Sequence, residues 1–179
     1  MSAGARVSSA LVHDSIVTPF DVGLDVAPTV GVTIAGRPPH GLAPQLSIDF
    51  STSDMVRHDA DGTTTRLQHV GTLSFAIGVS HSLPAGLRGT LAAGGLKYLP
   101  SDDTGIFSGG SGGLAGLGVL DVAYRLPLGA HDAPRRWWLD ARYDVHAFTT
   151  PALHDAGFAS SQAVHRVALT LRYDFALTK

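Results

Sequence analysis

The feature that most limits what this chain can fold into is strict alternation of apolar and polar residues over strand-length stretches. In "HRVALTLRYDF", residues 165 to 175, Val167, Leu169, Leu171, Tyr173 and Phe175 are apolar, and Arg166, Thr170, Arg172 and Asp174 stand between them. A period of two places one set on each face of a strand. The same rhythm recurs at 27 to 36 (Val30, Val32, Ile34), 43 to 53 (Leu46, Ile48, Phe50 against Asp49 and Ser51) and 69 to 83 (Leu73, Phe75, Ile77, Val79). It returns at 117 to 128 (Leu120, Val122, Tyr124 against Asp121 and Arg125) and at 135 to 150 (Trp137, Leu139, Tyr143 against Asp140, Arg142, Asp144 and His146). A further stretch, "LRGTLAAGGLKYL" at 87 to 99, reads as a strand whose glycines leave its phase ambiguous, and 6 to 17 is either an eighth strand or an arm. No long window carries apolar residues at helical spacing.

The connections between these stretches alternate in length. Long ones at 18 to 26, 54 to 66, 100 to 113 and 151 to 162 are separated by shorter ones at 37 to 41, 84 to 86 and 129 to 136. In an up-and-down antiparallel meander, odd and even connections lie at opposite ends, so the pattern predicts one ragged end and one trim end. Outer-membrane barrels are built in this way. "SGGSGG" at 108 to 113 reads as a mobile loop tip.

Composition bears on which face is inside. An apolar interior would leave the polar faces as solvated surface, normally rich in Lys and Glu. This chain has no glutamate and only two lysines, Lys97 and Lys179, and its charged residues amount to 16% against the roughly 25% of ordinary soluble domains. Small residues with opposed Asp and Arg suit the inside of a narrow barrel, which has room for side chains and paired charges but not for a wide pore. Asp121, Arg125, Asp140, Arg142, Asp144, Arg166, Arg172 and Asp174 are therefore expected to form one interior charge network. The aromatics Trp137, Tyr124, Tyr143, Tyr173 and Phe175 fall in the apolar phase, while Trp138 falls in the polar one.

The hairpin rhythm and the ending "VALTLRYDF" resemble the small outer-membrane β-barrel proteins of Gram-negative-type bacteria, the OmpA- and OmpX-like group. The resemblance spans about residues 5 to 175. Its sharpest part is the terminal series Val167, Leu169, Leu171, Tyr173 and Phe175, similar to the signal by which the outer-membrane assembly machinery recognises its substrates; "ALTK" follows it here. The resemblance implies an eight-stranded antiparallel up-and-down transmembrane β-barrel, a single domain over 1–179, monomeric, in the bacterial outer membrane. Its partners would be membrane lipid, the assembly machinery and an extracellular ligand or surface met by the loops. The start, "MSAGARVSSALVHD", lacks a secretory signal's basic flank and apolar core, so an outer-membrane protein would carry its signal upstream of this sequence.

Other chemistries find little footing. A net charge of -2 offers no basic field for nucleic acid, and the absence of cysteine excludes disulfides and thiolate chemistry. There is no apolar run of about 18 residues for a membrane helix, and no phosphate-binding glycine motif. His13 with Asp14, and His58 with Asp59 and Asp61, are fragments of a cation site without the closing Glu of a calcium loop. A lipid A deacylase needs a Ser two positions from a His; after His146 that position holds Phe148. The expected role is structural or interactive, without catalytic residues, metal or cofactor. The alternatives are a soluble up-and-down barrel with its apolar faces inward around an apolar ligand, and a lipid A-modifying enzyme.

Overall fold

Where β-branched and aromatic residues recur every second position, a pleated strand buries one set and exposes the other, and such strands fill this chain. The computed structural model describes residues 2–17, 20–36, 41–58, 61–128, 137–155, 157 and 162–173, with side chains described from residue 29 onward except at 53, 55–58, 64, 67 and 162. The fold is all-β. Its strands are β1 (Ser2–Val17), β2 (Phe20–Ala35), β3 (Leu42–His58), β4 (Thr64–Ser82), β5 (Leu87–Pro100), β6 (Ala115–Arg125), β7 (Trp137–Phe148) and β8 (Gln162–Tyr173). Each pairs antiparallel with the next in chain order. Ala10 to Ser15 of β1 also pair with Thr170 to His165 of β8. The single α-helix among the described residues, α1 (Pro151–Asp155), is one short turn, and no helix is long and apolar enough to cross a membrane.

The sheet is curled. Arg142 on β7 donates to Asp49 on β3 at 3.0 Å, although four ladder steps separate the strands, about 19 Å along a flat sheet. Only a sheet rolled toward itself brings them together. Small inward residues permit the curl between β4 and β5, where Ala76 faces Gly94 and Gly78 faces Ala92. A Cβ at Gly94 would fall on the Phe75 carbonyl oxygen, and one at Gly78 on that of Leu91.

Two of the expected long connections are shorter than their composition suggests. β2 begins at Phe20 and β3 continues to His58, so much of 18 to 26 and of 54 to 66 is strand. In the second case cross-strand charge holds the extension. Asp54 bonds His69 opposite it at 2.8 Å and Arg66 at 2.7 Å, and a bulge between Met55 and Val56 absorbs the extra residue. At the tip Asp61 accepts from the Thr63 amide and hydroxyl, which lowers its carboxyl pKa below the usual value.

The other two long connections fold over the ragged end instead of standing free. The turn at Gly105–Phe107 and Leu153 of α1 press Ile106, Phe107 and Leu153 against Leu96, Tyr98, Leu117, Phe148 and Val164. Phe107 is fully buried and meets the rings of Tyr98 and Phe148 at 5.9 Å each. Thr150 links the two loops, donating through its hydroxyl to the Ile106 carbonyl and accepting from the Leu153 amide. Gln68 donates to the Thr104 carbonyl and accepts from the Asp102 amide. The glycine run that reads as a mobile tip is tied down too, since Gly110 donates to Asp103 and the Gly112 carbonyl accepts from Lys97.

Phe107 is thus the centre of an apolar plug. Phe107→Ala is expected to cost about 3–5 kcal/mol of local stability, in the range for emptying an aromatic site. Limited proteolysis should then cut within 101–114 much faster than in the parent protein while β-sheet circular dichroism is retained.

Candidate functional site: a polar hollow between two unlike ends

Alternation along each strand sorts the side chains onto two faces. On β7, Trp138, Asp140, Asp144, His146 and Phe148 are buried while Leu139 and Tyr143 are exposed; on β8, Arg166, Ala168, Thr170 and Arg172 are buried while Val167, Leu169 and Leu171 are exposed. The hollow side of the curled sheet carries the polar set.

The centre of the hollow is Arg142. Its Nε donates to Asp144 Oδ1 at 2.6 Å and its Nη1 to Asp49 Oδ2 at 3.0 Å, so one guanidinium joins carboxylates on β7 and β3. Gly31 stands opposite Asp49 on β2, and a Cβ there would fall on the Asp49 carboxylate. Next to this clamp Arg166 donates to Ser51 Oγ at 3.0 Å, and Ser51 shares a 2.7 Å hydrogen bond with Thr72. Between the two arginines lies a cavity of about 30 Å³ lined by Thr29, Asp49, Ser51, Ser74, Arg142 and Arg166, among others. That volume holds a water or two and is far from an aqueous channel.

Toward the ragged end the polar layer meets the plug at Tyr98 and His146. The Tyr98 hydroxyl and His146 Nε2 lie 2.6 Å apart, and the Tyr98 ring packs edge-on against Phe148 at 4.9 Å. Toward the trim end Arg172 pairs with Asp140 at 3.4 Å. The last inward layer is Trp138, whose buried ring has the guanidinium carbons of Arg88, Arg125 and Arg172 at 4.6, 4.8 and 5.4 Å from its centroid.

The residues singled out in the sequence are distributed as follows. Arg142 and Asp144 form one pair, Arg172 and Asp140 another, and Asp121 and Arg166 are buried on the same hollow side. Arg125 stands at the trim mouth, exposed and stacked on Trp138. Val167, Leu169 and Leu171 are exposed on the outer face, with Tyr173 half-buried against Trp137 at 5.0 Å between ring centroids. Asp174 and Phe175, like His13, Asp14 and Asp59, lie outside the residues whose side chains are described. Among the described residues, no three His, Cys, Asp or Glu side chains converge on a point that could hold a metal ion. His165 shares a 2.6 Å hydrogen bond with Tyr143 on the outer face.

Several of the residues that matter were not among those picked out. Asp49 and Ser51 stand in the polar phase of their strand, so their inward direction was readable, but their partners lie on strands distant in sequence. Arg88 sits in the glycine-rich stretch whose phase is ambiguous. Trp138 carried a signal of its own as the aromatic that breaks the alternation.

The chain matches no protein-family model and no curated protein sequence.

Removing Arg142 leaves two carboxylates close together in the hollow. Arg142→Met is expected to lower stability by about 3–5 kcal/mol, the usual result of breaking a buried pair from one side. Asp49→Asn in the same background should restore part of the loss by removing one of the two facing charges, as read from denaturant midpoints.

Proposed function

We propose that this protein is a small outer-membrane barrel, in which the curled antiparallel sheet closes as eight strands and the apolar outer face is seated in lipid. The carrying observation is the outer face itself. Val30, Val32, Ile34, Leu46, Ile48, Phe50, Leu73, Phe75, Ile77, Val79, Leu120, Val122, Leu169 and Leu171 are each 37 to 65% exposed, on strand after strand. At about 1 kcal/mol for each half-exposed large side chain, keeping such a belt in water costs on the order of 10–20 kcal/mol. A soluble monomer does not carry a patch of this size, whereas a bilayer has the matching solvent.

Three further features support the reading. The apolar series from Leu73 to Val79 on β4 runs about 20 Å along the strand, comparable with the apolar band of membrane barrels. Trp137, Tyr173 and Tyr124 gather toward the trim end of the outer face, where an interfacial girdle belongs. Lys97, in the outward phase of β5, turns its ammonium to the Gly112 carbonyl at the ragged end, as a lysine snorkelling out of a membrane does. The alternative of a soluble barrel around an apolar ligand requires the apolar set inside, and the hollow holds Arg142, Arg166 and their carboxylates instead.

The role that follows is physical. A lipid belt anchors the protein, paired charges and an apolar plug close it to flow, and its tied-down loops present a fixed surface at the ragged end. Membership in the OmpA- and OmpX-like group, a bacterial outer-membrane location, delivery by the assembly machinery and a monomeric state belong to the same proposal.

Single cysteines carrying a fluorophore at 171 and 172 test it in reconstituted vesicles. A lipid-phase quencher is expected to quench the label at 171 several-fold more than that at 172; equal quenching, or a protein monodisperse in buffer without detergent, overturns the reading.

A further inference from the structure

The trim mouth carries a charge arrangement that the lipid belt does not require. Strand register places Arg125, Trp138 and Arg172 side by side on one rung of β6, β7 and β8. The neighbouring rung runs from Arg88 on β5 through Ala123 and Asp140 to Thr170. These two rungs therefore bring three guanidiniums and one carboxylate to the end of the hollow. Deeper in, around Arg142 and Arg166, the described charges balance, with Asp49 and Asp144 against two arginines. The mouth is thus electropositive relative to the layer behind it.

Like charges do not gather without a reason. The buried Trp138 ring gives each guanidinium an electron-rich face at 4.6 to 5.4 Å, which offsets part of the mutual repulsion and holds the three groups around one point. Asp140 engages Arg172, the deepest of the three. Arg125 is exposed and makes no hydrogen bond or ion pair among the described residues, so its donors are open to solvent at the mouth. A planar fork of N–H donors is the group best matched to a phosphate or similar oxyanion, which it can grip with two hydrogen bonds at once.

We infer that Arg88, Arg125 and Arg172, arranged around Trp138, form a binding site for a phosphate oxyanion at the trim end of the hollow. The oxyanion is either free phosphate or the phosphate of a lipid headgroup at the rim. The site lies on the hollow face, so it stands whether or not the outer face meets lipid. Arg125 supplies the contacts, Arg88 the adjoining positive charge, Trp138 the floor, and Asp140 keeps Arg172 oriented.

The test follows Trp138 fluorescence in Trp137→Phe protein, titrated with inorganic phosphate in zwitterionic detergent, with chloride holding ionic strength constant. Parallel titrations use short-chain phosphatidylglycerol and phosphatidylcholine. Saturable binding of phosphate, or of phosphatidylglycerol over phosphatidylcholine, is expected, and the arm that saturates identifies the source. Arg125→Gln should weaken it about tenfold or more, the loss for hydrogen bonds to a charged group, and Arg125→Lys should fall between, keeping charge without the fork. Arg88→Gln should act in the same direction, with an unchanged circular dichroism spectrum showing that the fold survives. The proposal fails if no arm saturates, or if Arg125→Gln and Arg88→Gln both bind as the parent does.

Discussion

The contact on which the rest of the structure depends is the guanidinium of Arg142 reaching across the hollow to Asp49. Apart from the short pairing of β1 with β8, the ladders of the sheet join neighbours in chain order and would exist in a flat sheet. This bond exists only in a curled one. It also settles direction, because a strand that sends Arg142 and Asp144 into the hollow must send Leu139 and Tyr143 out of it. A slip by one residue would bury leucines where carboxylates now pair and leave those charges on the apolar face. Register, curvature and facing are therefore consequences of one another.

Burying charge is expensive, and the hollow offsets it by ion pairing and hydrogen bonding across strands. Arg142 contacts two carboxylates within 3.0 Å, Arg166 uses the Ser51 hydroxyl, and Arg172 meets Asp140. The two ends are closed differently. At the ragged end Phe107 and Leu153 make a small core like that of a soluble protein, with Tyr98 and His146 joining it to the polar layer. At the trim end an indole and three guanidiniums take its place. An interior with an apolar cap on one side and a cationic mouth on the other is polarised along its axis.

Much of this was legible in the alternation alone. The phase of Asp140, Arg142 and Asp144 on one strand, and of Arg166 and Arg172 on another, follows from a period of two and needs no tertiary information. What local pattern could not supply was partnership. Asp49 meets Arg142 because of curvature summed over four ladder steps, and no window of sequence contains that sum. The same limit explains the connections. Residues 54 to 58 look like loop by composition, yet Asp54 gains His69 and Arg66 only once β4 lies beside it. Residues 101 to 114 look mobile because they are rich in Gly and Ser, but Phe107 among them has an apolar recess to fill. Trp138 was visible as an exception, and its reason lies in Arg88, on a strand whose glycines hide its phase.

The absence of glutamate acquires a reason at this level. Around Arg142 the space is shared by two carboxylates, a second guanidinium and a cavity of only about 30 Å³. Asp holds its charge close to the strand that carries it, and the long arm of Arg spans the remaining distance to the opposite wall. A Glu at 49 would push its carboxylate one methylene farther into a hollow already filled. It would also carry more side-chain entropy to lose on being fixed there. Lysine would reach as far as arginine, but as a point charge it could not offer Asp49 and Asp144 separate donors from one rigid plane. A narrow hollow crossed by charge thus selects the short acid and the long planar base, and the composition of the chain records that choice.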